Sequence, residues 1–143
     1  MVKVGIIGCG KIAQVRHIPE YLDNPNAKLT GLYDLNLQRA KELAEKYDCK
    51  SYESVEEMLA DPEIDAVSVC VANHVHAEIT IAALKAGKHV LCEKPMATKL
   101  KDCQMMVDTA EQMSKKLMIG QNQRFAKAHA LSLIHISEPT RRS

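Results

Sequence analysis

The chain has 143 residues, 46% of them apolar and 26% charged, with 19 basic against 18 acidic side chains. A chain of that length buries roughly two-thirds of its unfolded surface around one core, and the balanced charge excludes disorder and the basic field that recruits nucleic acid or anionic membrane. No apolar run approaches the ~20 residues of a membrane span, and the opening "MVKVGIIG" is too short for a secretion signal, so the expected location is the cytoplasm.

In chain order, the short runs "VKVGIIG", "AKLTGLYD", "DAVSVCVA", "KHVLCEK" and "KLMIGQN" are apolar almost throughout, the signature of strands buried on both faces. "CKSY" adds a short edge strand. Helices are expected between them over 11–22, 37–47, 55–60, 76–86 and 100–115. Ser54 with Glu57 forms a capping-box pattern, Asp61-Pro62 closes the third helix, and Gly87 sits where the fourth should stop. Strand and helix alternating in this way imply parallel βαβ units: an α/β, doubly wound, Rossmann-type sheet in three αβα layers. The five cysteines are scattered, odd in number and never paired as CxxC, which argues against a disulfide framework or a zinc site and for reduced, packed thiols.

In such a sheet, ligands bind outside the carboxyl ends of the strands, where helix N-termini also point. The first strand runs into Gly8-Cys9-Gly10-Lys11-Ile12-Ala13, matching G-x-G-x-x-G/A. Gly8 permits the tight turn, Gly10 lets a pyrophosphate approach the backbone, and Ala13 keeps the following helix close to the strand. Lys11 and Ile12 complete the turn. The second strand ends at Asp34, 21 residues past Ala13, where a carboxylate can accept hydrogen bonds from a ribose diol and would repel a 2′-phosphate. NAD is therefore expected over NADP. Arg39, five residues on, is read as a solvated helix arginine, and Cys9 as a small filler.

At the next strong strand the end reads "VANHVHAEI". Ala72, Asn73 and His76 are expected to contact the cofactor. The spacing His74-x-His76 lacks the further ligands that a metal site needs, so no metal is expected. The following strand ends in "CEKP". Pro95 has no N–H to donate and ends the ladder, so Glu93 and Lys94 emerge at the rim that carries Gly8 and Asp34. A lysine there can hydrogen-bond both a substrate hydroxyl and the cofactor ribose, and its charge favours a developing alkoxide. Glu93 can orient it.

The segments "GIIGCGKIA", "YD", "VANHVHAEI", "AALKAGKHVLCEKPMA" and "MIGQNQRF" resemble the N-terminal half of the Gfo/Idh/MocA oxidoreductase family, which contains inositol dehydrogenases. The resemblance covers about residues 1 to 130. It implies NAD-dependent hydride transfer to or from a secondary hydroxyl of a cyclic polyol or sugar, with inositol as leading substrate. On this resemblance Lys94 is the catalytic lysine, Glu93 its companion and Asp34 the ribose acid. Asn73 and His76 are loop contacts, while Asn122 and Arg124 belong to the segment entering the substrate floor. Family members continue into a second domain that supplies a D-x-x-x-H base, the substrate wall and the homo-oligomer interface. Without it, this chain is expected to bind nucleotide but to turn over little or nothing. Alternative readings are an NAD(P)-dependent sugar or nucleotide-sugar reductase, a non-catalytic NAD-binding protein, and an S-adenosylmethionine methyltransferase, which gives no reason for the EKP block.

The domain organisation expected is a nucleotide-binding unit over 1–125, the start of a crossover helix over 126–130, and a tail over 131–143. That tail, "LSLIHISEPTRRS", loses helical patterning and resembles a translated sequencing adapter. The nucleotides encoding 131–143 should therefore spell the adapter. Inspecting those nucleotides checks this, and a stretch that does not spell the adapter would restore the tail to the protein.

Overall fold

The computed structural model describes residues 1–11, 13–71, 75–93 and 100–120. Its six strands, β1 (Val2–Ile7), β2 (Ala27–Tyr33), β3 (Lys50–Ser51), β4 (Ala66–Val69), β5 (His89–Glu93) and β6 (Leu117–Gly120), form one sheet in the order β3-β2-β1-β4-β5-β6. All five strand pairings are parallel. This is the 3-2-1-4-5-6 arrangement of a Rossmann fold, with the topological switch between β1 and β4.

The helices are α1 (Ile18–Asp23), α2 (Leu37–Tyr47), α3 (Val55–Ala60), α4 (His76–Lys85) and α5 (Leu100–Met113). Ile6, Ile18, Tyr21, Leu29 and Ala44 share one core cluster, so α1 and α2 cover one face of the sheet. Met58, Val67, Leu84, Val90 and Met106 share the other, beneath α3, α4 and α5. β1 and β4 feed both clusters, which explains why they are apolar almost throughout: neither face is a wet one. Ser68, the polar residue within β4, is fully buried and shares a 2.6 Å hydrogen bond with the Tyr21 hydroxyl.

The first helix differs from expectation. Instead of α-helix from residue 11, the chain winds as a π-helix over Ala13–His17 before α1 begins. Pro19, in the first turn of α1, has no N–H and its ring crowds the carbonyl four residues back, so the winding immediately upstream is loosened. The other caps follow the sequence. Ser54 Oγ accepts from Glu57 N at 3.0 Å, and Glu57 Oε1 reaches back to Glu53 N at 2.8 Å. Gly87 has φ +87° and donates its N–H to Leu84 O just past α4.

The edge where the strands begin is closed by polar groups facing inward. Lys88 is buried, and its Nζ donates to Asp61 O at 2.8 Å and Ile64 O at 2.6 Å, which caps the C-terminal end of α3. Tyr52 OH donates to Asp61 Oδ2 at 2.5 Å, and that bond, with one from the Glu63 backbone, holds the Asp61 carboxyl down to about 2. His89 Nδ1 accepts from Lys116 N at 3.0 Å and joins the starts of β5 and β6. Among the described residues, no helix is long and apolar enough to cross a membrane.

The His89 ring must be neutral to accept that bond, and burial, with the Lys115 charge next, lowers its pKa from 6.5 to about 4. The unfolded chain binds a proton near pH 6.5 that the folded chain refuses until about pH 4. Stability is thus full above pH 6.5 and falls as pH drops through this window, by about 3 kcal/mol at most. Urea unfolding at pH 7.5 and 4.5 should show a smaller acid loss for His89→Asn, which keeps an acceptor for Lys116 N but does not titrate.

Candidate functional site

The carboxyl ends of β1, β2, β4 and β5 share one rim. At the switch point Gly8 adopts φ +97°, and a Cβ there would lie 2.6 Å from Cys70 O, where the chain leaves β4. Glycine is thus needed both for the backbone conformation and for the close approach of two strand exits. The ladder continues to this level, with Gly8 N donating to Tyr33 O and Cys70 N to Ile7 O, each at 2.8 Å. Gly10 is in a different situation. Among the described residues, a Cβ added to it meets nothing within 4 Å, so none of them crowds the backbone there. Gln14 Nε2 holds the turn by donating to Cys9 O at 2.8 Å, Lys11 is exposed, and Ala13 is fully buried against the sheet. A bare, braced turn leading into a helix N-terminus fits the pyrophosphate of a dinucleotide.

Asp34 is buried at the same rim. Its Oδ1 accepts from Cys9 N at 2.7 Å and its Oδ2 from Asn36 N at 2.9 Å, so one carboxylate ties the turn after β1 to the turn after β2. A carboxylate offers about four lone-pair sites, so each oxygen retains one for a ribose hydroxyl. Arg39 is not simply a solvated helix residue. It opens toward solvent, yet its Nη1 lies 3.6 Å from Asp34 Oδ2. Asn36 Oδ1 accepts from Arg39 N at 3.1 Å and so caps α2 beside that ion pair. Cys9 is a filler as expected: its side chain is buried, and burial, then the Asp34 charge, push its thiol up to about 12.

His76 requires a correction. Although it opens α4 at the rim, its residue exposure is 1%, and its ring points into the protein rather than toward a ligand. Nε2 lies 2.6 Å from Val71 O and Nδ1 3.5 Å from Cys92 Sγ. Burial of Cys92 and Thr80 behind it gives the physical reason, since the imidazole satisfies the polar groups between α4 and β5.

β5 ends at Glu93, in register with Gly120 of β6 and one strand over from β4. Ile12, Ala72, Asn73, Lys94, Asn122 and Arg124, with His74 and the tail 131–143, lie outside the described residues. Among the described residues no three His, Cys, Asp or Glu side chains are grouped to hold a metal ion. A groove of about 360 Å³ lined by Met1, Pro62, Asp65, His89 and Lys115 lies at the opposite edge of the sheet, away from the rim. The Asp34 clamp, the Arg39 ion pair and the turn of the His76 ring were not legible in the sequence. Only the i+3 spacing of Asn36 and Arg39 hinted that this arginine starts a helix beside the ribose acid.

A model of an oxidoreductase family with an NAD-binding Rossmann fold, Gfo/Idh/MocA, matches residues 2–121. Glucose-6-phosphate 3-dehydrogenase of Bacillus subtilis is 41% identical over 125 residues, 87% of this chain and 35% of that protein. Myo-inositol 2-dehydrogenase of Thermotoga maritima is 36% identical over 124 residues, 86% of this chain and 37% of that one. The crystal structure of a 3-ketoreductase from Actinomadura kijaniata, in complex with NADP and TDP-benzene, superposes with a TM-score of 0.81 at 31% identity, covering 92% of this chain and 42% of that one. The chain thus spans little more than a third of the length of the curated relatives it matches. With the β1/β4 switch, the glycine turn and the Asp34 clamp all in place, the chain belongs to the Gfo/Idh/MocA oxidoreductase family and is its NAD-binding Rossmann domain.

Proposed function

We propose that the chain is the nucleotide-binding part of a longer NAD-dependent dehydrogenase acting on a secondary hydroxyl of a cyclic polyol or sugar, with an inositol as leading substrate. The observation that carries this reading is the rim itself: open backbone at Gly10, a braced carboxylate at Asp34, and β5 ending at Glu93 beside the switch point. NAD, when bound, supplies the hydride acceptor. Gly10 and Lys11 receive the pyrophosphate, and Asp34 accepts from the ribose diol through its remaining lone pairs. Lys94 holds the substrate hydroxyl and passes a proton at Nζ, with Glu93 as its orienting partner. Ile12, Ala72 and Asn73 complete the nucleotide contacts, Asn122 and Arg124 face the substrate, and the base and oligomer interface belong to the second domain. Relatives that dehydrogenate inositol and glucose 6-phosphate support the substrate class.

Arg39 favours a second reading of cofactor choice. Its guanidinium beside Asp34 offsets part of the charge that would repel a 2′-phosphate, and NADP is present in the ketoreductase complex. NADH should still bind more tightly than NADPH, and Arg39→Ala should widen the gap by about tenfold, an ion-pair effect of about 1.4 kcal/mol. Titration of both nucleotides by calorimetry checks this.

Two glycine substitutions separate fold from binding. Gly8→Ala should destabilise the chain by about 2 kcal/mol or more, from positive φ and the Cys70 contact. Gly10→Ala should leave the unfolding midpoint unchanged while weakening NADH at least tenfold. A folded wild-type chain that ignores NADH would end the reading. In the longer enzyme, Lys94→Ala should lower kcat by about 10²- to 10⁴-fold; full activity would instead identify a non-catalytic nucleotide binder.

A further inference from the structure

His76 is buried at a helix start, where packing alone would be served better by an apolar side chain, because a desolvated imidazole must find partners for both ring nitrogens. It finds them on two different strand exits. Val71 O can only accept, so Nε2 carries the hydrogen across the 2.6 Å contact. Nδ1 then presents a lone pair, and the Cys92 thiol, 3.5 Å away, is its donor. Thr80 Oγ1 donates to the same sulfur at 3.7 Å. Val71 follows β4 and lies against the position of Gly8, where a Cβ would sit 3.1 Å from Val71 Cγ1. Cys92 is the residue before Glu93 at the end of β5. One neutral tautomer therefore bridges the wall of the glycine turn and the strand that leads into the EKP block.

Resting on the reading of this rim as an NAD site, we propose that His76 is a positioning residue: acting through Val71 and Cys92, it sets the spacing between the nucleotide turn and the end of β5. It touches neither nucleotide nor substrate. The bridge requires a hydrogen-bond donor at position 92, whereas packing there requires only a small, buried, apolar-compatible side chain. Those two demands separate in substitutions.

Cys92→Val loses the donor and adds about one methyl group of apolar volume; Cys92→Ser keeps a donor and is the poorer core residue. Thermal unfolding and NADH calorimetry on the full chain should rank the two oppositely. The valine variant should be at least as stable as the serine variant yet bind NADH five- to tenfold more weakly than wild type, with serine retaining affinity within twofold. In the wild-type chain, nitrogen-15 imidazole signals of His76 should shift along the same saturation curve as NADH binding, while those of His89 at the far edge stay still. Wild-type affinity in Cys92→Val, or a His76 signal unmoved at saturating NADH, would overturn the proposal and leave the NAD site intact. Failure of the wild-type chain to bind NADH removes both.

Discussion

The Asp34 carboxylate, clamped between the backbone N–H groups of Cys9 and Asn36, is the contact on which the rim depends. Charge-assisted bonds from backbone donors are stronger than neutral ones and have no rotamer freedom on the donor side. They fix the turn after β1 relative to the turn after β2, and Asn36 in turn caps α2. The carboxylate is therefore placed before any ligand arrives. In the proposed nucleotide site, a ribose would meet a group whose orientation is already fixed by folding, which is the condition for tight binding at a small contact area.

The two edges of the sheet divide the demands of stability and chemistry. Where the strands begin, Lys88, His89, Tyr52 and Asp61 point their polar atoms at backbone groups or at one another, so little is left for a ligand. Where the strands end, β1 and β4 diverge to opposite sides in sequence order and leave backbone exposed at Gly10. The physical origin is topological. Successive crossovers run in opposite directions from the switch, which is where an open parallel sheet forms its crevice. His76 belongs to the rim in position but to the core in chemistry, and it links the two by holding Val71 and Cys92 together.

Residues shared with dehydrogenases of inositol and sugar phosphates lie in a portion that covers little more than a third of those proteins. A nucleotide-binding domain does not by itself fix a substrate, since one fold serves many chemistries. This is why similar matches extend across dehydrogenases and a ketoreductase whose substrates differ.

Strand identity was legible because β1, β4 and β5 are packed between the two helical layers and so read as nearly continuous apolar runs, and the helix ends at Ser54 and Gly87 were legible because capping is local chemistry. Gly8 and Asp34 could be assigned for the same reason: their spacing follows from one βαβ unit. The π-helical winding over Ala13–His17, the Arg39 ion pair and the inward turn of His76 could not. His76 depends on a partner 16 positions away, Cys92, while Arg39 and Asp34, five apart, meet only because β2 ends and α2 begins at the same rim. Local pattern thus determined which elements form and where the nucleotide turn lies, whereas only tertiary packing decided which polar side chains face the crevice and which are consumed in holding it open.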